Sequence, residues 1–556
     1  MQRLLLIAFF LLMPLAAQAQ TEIRVTDADI PDGATVTWTS DNTYILDGIV
    51  FVNPGATLII EPGTVIKGEV GQGNEASALV VTSGGTILAE GTATNPIIFT
   101  SVQDPLDGSL TYQDRGLWGG VVILGQASTN NPTDGGIKEV EGINEVVAEG
   151  DTRAQYGGEN DAHSSGIFRY VSIRHTGINV GDQAGNEIQG LTLGGVGSGT
   201  VIEYVESFAS ADDGFEFFGG TVNTKYLVSA FNEDDSFDWD EGFRGKAQFW
   251  FAIQANDVGG RTAEQDGATG NEFFEPYAIP QLSNVTYIGP DAGTAEGDGA
   301  EMLIFRDNSG GKYWNSIFTE YSSATGAQGI TVEVVDGDAN KPADSEDRMA
   351  NGDLVLANNL WWGFGDNSLG AIAPQDFVQA HLAANNNRIS DPQLRGISRE
   401  ADGGLDPRPA VGSPAWDAAE VADTGDAFFT PVAYTGAFGL GNWLDGWTAL
   451  GNLGFTVGTA IEPIAGEVPT FFSLEQNYPN PFNPTTTIEF KLASAGPVRL
   501  AVYDVLGRQV ALLADGVQPA GTYSVQFDAK ELASGMYFYK LEGYGASAVR
   551  KMLLVK

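Results

Sequence analysis

An internal repeat constrains this chain more than any other feature of its sequence. Residues 204–220 align with residues 226–242 without a gap, so that tyrosine, acidic, aromatic and glycine positions recur 22 residues later. A solenoid needs such a repeat, because every coil must present the same core-facing positions to its neighbours. The repeat lacks a leucine-rich consensus and is about half as long as a propeller blade. We therefore predict a β-helix with one coil per repeat.

Shorter segments upstream of the repeat extend this pattern. Residues 52–58 and 81–87 each read as strand, glycine turn and strand, and the apolar strand 121–124 follows them. We expect an all-β chain whose body, residues 20–460, is a right-handed parallel β-helix. A solenoid must cover the exposed end of its core, and the aromatic-rich segment 428–447 is the predicted C-terminal cap.

Downstream of the repeat, an asparagine precedes each of three predicted strands. These residues are Asn284, Asn315 and Asn359. Stacked asparagines at a turn would form a hydrogen-bonded ladder between coils. The alternative interpretation is three unrelated surface residues, and the sequence leaves both open.

The N-terminus reads as a secretory signal peptide, residues 1–19. Arg3 supplies a positive start, residues 4–15 are an apolar run broken by one proline, and residues 17–19 form a small-residue cleavage site. The run is shorter than the roughly 20 residues that a membrane span needs, and no second one follows. We therefore expect a secreted, soluble chain that starts at Gln20 and has no transmembrane segment.

Charge divides the remaining chain into two regions. The whole chain carries 72 acidic and 28 basic residues, a formal net charge of −44. Residues 20–470 hold 65 acidic and 19 basic residues, whereas residues 471–556 hold 7 and 8. This acidic charge of the body excludes nucleic acid as a partner and attracts cations. The absence of cysteine removes disulfides, thiolate metal sites and cysteine nucleophiles.

The tail differs from the body in pattern as well as in charge. Residues 461–470 contain prolines and a glycine, which suits an extended linker. Short alternating strands separated by turns then fill residues 471–556. This pattern predicts a small antiparallel β-sandwich of the immunoglobulin or fibronectin type.

Four ordered motifs in the tail resemble a known family. They are residues 477–484 (NYPNPFNP), 502–508 (VYDVLGR), 533–539 (ASGMYFY) and 551–552 (KM). Together they resemble the type A C-terminal sorting domain of the type IX secretion system. The resemblance implies export across the outer membrane, a secreted or cell-surface location, and recognition of the tail by the secretion machinery. The alternative is an ordinary fibronectin-like appendage.

The repeat also brings carboxylates together. Strand alternation points Phe215 and Phe217 into the core and Glu216 outward, and the next coil repeats the pattern around Asp238. Neighbouring coils lie about 4.8 Å apart, so two facing carboxylates repel by roughly 3 kcal/mol at an effective dielectric constant near 20. Several such pairs require a cation.

Calcium is the predicted cation, because it takes about six to eight hard oxygen ligands and tolerates uneven geometry. The predicted metal ligands are Asp212, Asp213, Glu216, Asp234, Asp235, Asp238 and Asp240. Asn256 and Asp257 follow Asp234 and Asp235 by another 22 residues and are expected to extend the row. The alternative is an acidic face that is solvated and screened by salt.

The same segment resembles the calcium site of an enzyme family. Residues 211–217 (ADDGFEF) and 233–239 (EDDSFDW) are similar to the calcium-site motif of the ninth polysaccharide lyase family, which are parallel β-helix pectate lyases. The ligands implied by this resemblance are Asp212 or Asp213 from one coil and Asp234, Asp235 and Asp238 from the next.

The chain departs from that family at the catalytic base. Those lyases abstract a proton with a lysine one or more coils further on, and this chain has no lysine between Lys246 and Lys312. Arg261 and Lys246 are the remaining candidates. The intrinsic pKa of a guanidinium opposes the role of a base, and Lys246 lies only 8 residues past Asp238.

Two functions remain open from the sequence. The first is a calcium-stabilised extracellular or cell-surface protein that binds a polysaccharide or mediates adhesion without catalysis. The second is a calcium-dependent polysaccharide lyase of the pectate type. The net charge of the body favours the first, because it would repel a polyuronate.

Overall fold

Parallel strands account for most of the body. The computed structural model describes residues 21–130, 136–180, 187–268, 272–290, 301–321, 327–335, 344–439, 441–456, 461–464, 472–493, 496–518, 521–530, 532–543 and 546–556. The predicted signal peptide, residues 1–19, lies outside these ranges. Within them, no helix is long and apolar enough to cross a membrane.

The body consists of strands β1 to β34. In chain order they are β1 Thr21–Val25, β2 Thr35–Trp38, β3 Asn42–Leu46, β4 Ile49–Val52, β5 Thr57–Ile60, β6 Val65–Gly68, β7 Ala78–Val81, β8 Thr86–Glu90, β9 Ile97–Ser101, β10 Val121–Leu124, β11 Lys138–Glu139, β12 Gln155–Tyr156, β13 Gly166–Arg174, β14 Ile178–Asn179, β15 Glu187–Ile188, β16 Leu191–Gly194, β17 Val201–Phe208, β18 Phe215–Phe218, β19 Asn223–Ala230, β20 Phe237–Asp240, β21 Lys246–Gln248, β22 Phe251–Ile253, β23 Ala263–Gln265, β24 Gln281–Ser283, β25 Thr286–Ile288, β26 Glu301–Phe305, β27 Gly311–Trp314, β28 Ile317–Thr319, β29 Gln328–Val332, β30 Leu354–Ala357, β31 Leu360–Trp362, β32 Arg388–Ile389, β33 Leu394–Gly396 and β34 Asp406–Pro409. The α-helices are α1 Ile143–Val146, α2 Ser345–Asn351, α3 Leu369–Ile372, α4 Asp376–Ala384 and α5 Ala449–Asn452.

Three strand segments form each coil. In one coil β18 is followed by the two halves of β19, and in the next coil β20, β21 and β22 take the same places. In the described chain, β4, β7, β10, β16, β18, β20, β23, β26 and β29 form one parallel sheet, the small sheet. The other two segments of each coil belong to a second, larger parallel sheet, because β13, β17 and β19 run across the corner between them. The predicted parallel β-helix is confirmed.

Aromatic side chains fill the core of the repeat. Phe215, Phe217, Phe237 and Trp239 are fully buried, as strand alternation predicts. The ring of Phe237 also stacks on that of Trp250, with centroids 4.3 Å apart. Burying a side chain of this kind contributes about 1.5–3 kcal/mol, so the inward-facing aromatic residues of two coils suffice to fix which side chains point outward.

A residue in the left-handed conformation marks the corner that divides the large sheet. Tyr204, Tyr226 and Phe249 hold this place in consecutive coils, with φ of 55°, 60° and 61°. Their rings stack with centroids 4.2 Å and 4.9 Å apart. The corner therefore carries a row of flat apolar surfaces along the side of the solenoid.

Asparagines hold the same corner in the later coils. They are Asn284, Asn315 and Asn358, with φ of 58°, 55° and 59°. The predicted Asn359 is one place too far along, because Asn358 is the residue that adopts the left-handed turn. The amides of the three corner asparagines donate to backbone carbonyl oxygens of a C-terminal segment, those of Tyr434, Ala422 and Glu420. The three asparagines thus hold equivalent positions in successive coils, and their amides fasten that segment.

This C-terminal segment, residues 418–439 and 441–455, is called the strap. It lies along the large sheet, where Gln248 exchanges hydrogen bonds of 2.9 Å and 2.8 Å with the backbone of Thr430. Further along, Trp447 meets the ring of Tyr204 edge-on at 6.0 Å. The prediction that residues 428–447 cap the end of the core is wrong, because the stacked corner rings offer those aromatic residues an apolar surface on the side of the solenoid.

Two short helices cover the C-terminal end of the core instead. Ile372 in α3 and Val378 and Leu382 in α4 are fully buried and belong to the same hydrophobic cluster as the coil interior. Helical backbone satisfies its own hydrogen bonds, which suits a segment that must close a stack of strands.

The C-terminal domain is an antiparallel sandwich, as predicted. Its strands are β35 Ile461–Ile464, β36 Ser473–Leu474, β37 Thr485–Leu492, β38 Gly496–Tyr503, β39 Gln509–Gln518, β40 Gly521–Asp528, β41 Gly535–Gly543 and β42 Ala546–Leu554. They form the sheets β35-β40-β37-β36 and β39-β38-β41-β42 around one hydrophobic cluster. The first four residues of the predicted linker form β35 and pair with β40, so this sheet begins before residue 471. The rest of the linker lies outside the described residues.

Candidate cation site

The small sheet carries acidic side chains on its outer face in consecutive coils. Parallel pairing of β18 with β20 puts Glu216 directly beside Asp238, while Phe217 and Trp239 pair on the core side. Because side chains alternate along a strand, Glu216 and Asp238 leave the same face of the sheet. The predicted juxtaposition of these two carboxylates is confirmed.

The aspartates that precede these strands reach toward the next coil. Asp213 Oδ1 accepts the backbone N–H of Asp235 at 2.9 Å. Asp235 Oδ1 accepts the backbone N–H of Arg261, one coil further on. Each aspartate thus ties its own coil to the following one, and Asp235 directs one oxygen to Arg261 rather than to Asp213.

Two overlapping groups of carboxylates have the spacing to hold a cation. One oxygen each from Asp213, Glu216 and Asp238 lie within 4.8 Å of one another. The same is true of Asp212, Asp213 and Asp234. Asp213 belongs to both groups, and we call these five residues the carboxylate centre.

Within the described part of the chain, two oxygens of the carboxylate centre have no hydrogen-bond donor. Glu216 is 7% exposed, and among the described residues neither its buried Oε2 nor the buried Asp238 Oδ1 has a partner. An ionised oxygen in this position has lost its hydrating water without gaining a hydrogen bond from the protein, and this desolvation costs free energy. A divalent cation supplies the missing partner, so the residues present fit a metal ion.

Burial shifts the titration of the carboxylate centre. It raises the pKa of Asp212 to about 7, and the charge of Glu187 adds to the effect. The pKa values of Asp213, Glu216 and Asp238 also lie well above their usual range, first because of burial and then because of neighbouring carboxylates. Without a cation, the folded protein therefore holds protons that the unfolded chain has already released.

Two further predicted ligands, Asp235 and Asp240, lie beside the centre and outside both groups. Asp240 Oδ1 accepts the backbone N–H of the adjacent Glu241. Burial, followed by the charge of Glu264, raises the pKa of Asp235. The structure brings together the other five predicted ligands.

Arginines balance the charge in the coil that follows. Glu264 sits beside Asp238 in register, yet its Oε1 lies 2.6 Å from Arg261 Nη1 and 3.0 Å from Arg306 Nη1. Arg306 Nε also contacts Asp266 Oδ1 at 2.7 Å. The column of carboxylates continues here, but the protein itself supplies the positive charge.

Both candidate bases are paired with carboxylates, Arg261 with Glu264 and Lys246 with Asp426. Burial lowers the pKa of Arg261, but the charges of Glu264, Asp235 and Glu301 outweigh this and hold it above its usual value. Lys246 lies in β21 of the large sheet, and its Nζ donates to Asp426. The carboxylate centre belongs to the small sheet and its preceding turns.

The acidic row does not continue at Asn256 and Asp257, so that expectation is wrong. The residue equivalent to Asp235 in the next coil is Arg261, which follows it by 26 residues rather than 22. The additional residues form a loop between the two coils. Asp257 in this loop pairs with Arg115 at 3.3 Å.

Two acidic residues near the centre come from segments that the repeat does not include. Glu187 lies in β15 and acts on the pKa of Asp212, and Glu141 follows β11 and acts on that of Glu216. Neighbours of both residues, Val140 and Ile188, pack in one buried cluster. Because these segments are inserted between coils, no spacing in the sequence signals their approach.

The fold and this site define a parallel β-helix protein with a carboxylate-lined face. A family model described as a pectate-lyase like beta helix domain matches residues 29–358, and one described as a secretion system C-terminal sorting domain matches residues 476–556. The first match spans more than half of the chain, which therefore belongs to the pectate-lyase-like β-helix family. The sorting domain indicates a secreted or cell-surface protein that interacts with the secretion machinery. No curated protein matches the chain.

Proposed function

We propose that this is an extracellular β-helix protein in which calcium, bound at the carboxylate centre, ties neighbouring coils together and takes part in glycan binding or adhesion. The observation that carries the proposal is the pair of buried oxygens without a donor, Glu216 Oε2 and Asp238 Oδ1, within a group that also includes Asp213. No nearby arginine or lysine of the described chain neutralises these two oxygens.

Calcium suits this donor set better than other common ions. The ligands are carboxylate oxygens from two coils, which calcium accepts at about 2.3–2.6 Å with six to eight ligands in irregular geometry. Zinc prefers cysteine and histidine, and the chain has no cysteine. Magnesium demands a more regular octahedron than two turns of a solenoid provide.

The proposed ligand is a glycan that meets the ion at the protein surface. Asp234 is exposed, so an ion held by the group Asp212, Asp213 and Asp234 lies at the surface. Three carboxylates fill at most six of its positions, and sugar hydroxyl oxygens are hard ligands of the same kind. A neutral glycan also avoids the repulsion that the acidic body exerts on a polyanion.

The surroundings of the two candidate bases argue against a lyase. Proton abstraction beside a carboxylate needs a group whose pKa lies near the working pH. Acidic neighbours raise the pKa of Arg261 away from that range, and Lys246 is engaged with Asp426 in the other sheet. The proposed role is therefore binding.

The experiment measures thermal unfolding and glycan binding of the full chain with excess calcium and with EDTA at low salt. We expect calcium to raise Tm, and glycan retention on an array to be lost with chelator. Incubation with polygalacturonate or alginate serves as the control for catalysis, and we expect no unsaturated product. Identical melting curves would overturn the calcium assignment, and product formation would overturn the non-catalytic one.

A further inference from the structure

A second group of carboxylates lies where later strands of the small sheet end. Asp307 follows β26, Glu333 follows β29, and Glu272 lies in the segment after β23. One oxygen from each of the three lies within 4.8 Å of the others. Parallel strands of neighbouring coils end at the same edge of a sheet, so consecutive coils deliver these groups to one place.

A buried amide stands beside this group. Asn308 is 1% exposed, and its Nδ2 donates to the backbone carbonyl oxygen of Glu272 at 2.6 Å. Because Asn308 directly follows Asp307 in the chain, its amide joins one carboxylate-bearing segment to another, that of Glu272. Its Oδ1 is buried, and no group of the residues that the structure describes donates a hydrogen bond to it. Leaving such an oxygen unsatisfied costs about 1–3 kcal/mol, which indicates a missing partner.

The backbone around the group is held in place. The N–H of Asp307 donates to Glu333 Oε2 at 2.7 Å, which fixes one carboxylate against the turn that carries another. Gly267 of the preceding coil packs so closely on this turn that a Cβ there would lie 1.9 Å from the carbonyl oxygen of Asp307. A site with so little freedom loses little entropy when it takes up an ion.

We propose that Glu272, Asp307, Glu333 and the Oδ1 of Asn308 form a second binding site for a divalent cation, with calcium as the ion that fits best. Three carboxylates and a neutral amide oxygen are the hard ligands that calcium takes in proteins. An ion there joins three consecutive segments of the solenoid. The site shares no residue with the carboxylate centre, so it stands or falls independently of the proposed function.

The test counts calcium ions bound to the full chain by equilibrium dialysis with radioactive calcium. Calcium concentrations should reach roughly 10⁻⁴–10⁻³ M, the range in which extracellular modules bind it. The test variant is Asp307→Asn, because asparagine tolerates the left-handed conformation of Asp307, whose φ is 51°. The matched control is Glu275→Gln, which removes the same charge from an exposed residue of the Glu272 segment.

We expect Asp307→Asn to bind one calcium ion fewer than the wild type, and Glu275→Gln to bind the same number as the wild type. Equal binding by Asp307→Asn and the wild type would overturn the proposal, and so would an equal loss in the control. If circular dichroism shows that Asp307→Asn is misfolded, Glu333→Gln replaces it, since the glutamine oxygen still accepts the N–H of Asp307. Asp238→Asn tests the carboxylate centre separately, and its loss of an ion is expected to add to that of Asp307→Asn.

Discussion

Neighbouring coils of the small sheet differ in the groups that surround their stacked, mutually repelling carboxylates. In the first region, Glu216 and Asp238 lie side by side, each with a buried oxygen that receives no hydrogen bond from the described residues. In the second, Glu264 continues the same column, but Arg261 and Arg306 stand at 2.6 Å and 3.0 Å from its carboxylate. The strands and the alternation are alike, but only the second region has arginines of the described chain beside its carboxylate.

This difference shows which coils depend on protons or cations from the solution to neutralise their carboxylates. A coil that carries its own arginines is neutralised at any calcium concentration. A coil that presents only carboxylates must take up either protons or a cation, because facing charges about 4.8 Å apart repel by roughly 3 kcal/mol at an effective dielectric constant near 20. The stability of the first region should therefore vary with calcium concentration, and that of the second should not.

Removing the positive charge of Arg261 should have the largest effect on the free energy of unfolding. In Arg261→Met, Glu264 loses a buried partner and Asp235 loses a neighbouring positive charge, and breaking such a pair costs about 3–5 kcal/mol. We expect a large drop in unfolding free energy in EDTA, with part of it restored by calcium. Urea unfolding in both conditions measures this. In the matched control Arg169→Met, the more exposed pair with Glu203 should contribute about 0–1 kcal/mol.

Removing a carboxylate charge from the first region should raise the free energy of unfolding in EDTA, whereas removing Arg261 lowers it. Asp238→Asn relieves part of the repulsion, worth up to about 3 kcal/mol, and removes a predicted calcium ligand. We expect this variant to be more stable than the wild type in EDTA and to gain little Tm from calcium. A variant that is less stable in EDTA and still responds fully to calcium would contradict the comparison.

Acidity should change the stability of the first region in a defined direction. The folded-state pKa of Asp212 is raised to about 7, and those of Asp213 and Glu216 are raised well above their usual range. The folded chain then binds more protons than the unfolded chain above about pH 4, so stability in EDTA should fall as pH rises from about 4 through 7.

Calcium competes with these protons, so the gain in Tm from calcium should grow over the same interval. Calorimetry near pH 5 and pH 8, about one unit or more on either side of neutrality, separates the two trends. An apo protein that becomes more stable as pH rises through this interval would contradict the assignment.

Breaking an ion pair in the other sheet should have the smallest effect. Lys246 and Asp426 join β21 to the strap, and both side chains are about 30% exposed. Lys246→Ala should cost about 0.5 kcal/mol and leave the calcium response unchanged. A loss of calcium response in this variant would place Lys246 closer to the carboxylate centre than the structure does.

Much of the fold follows from the repeat alone. The unbroken offset of 22 residues fixes the register, so the facing of Glu216 and Asp238 was predictable from alternation. The register of the next coil was not predictable. Extra residues precede Arg261, and how many of them leave the coil as a loop depends on the loop conformation. This is why Asp257 was wrongly expected in the row.

Long-range contacts account for what the sequence could not supply. Glu141 and Glu187 approach the centre from insertions whose direction depends on packing of their apolar neighbours. The strap was misplaced for a similar reason. Its aromatic residues require an apolar surface, but composition does not say whether that surface is the open end of the core or the row of rings around Tyr204 and Tyr226.

The most direct test of the central claim is anomalous diffraction from crystals of the full chain grown with calcium or a lanthanide substitute. We expect an anomalous peak between Asp213, Glu216 and Asp238, and no peak beside Glu264, where the arginines lie. An empty carboxylate centre at saturating ion concentration would contradict it.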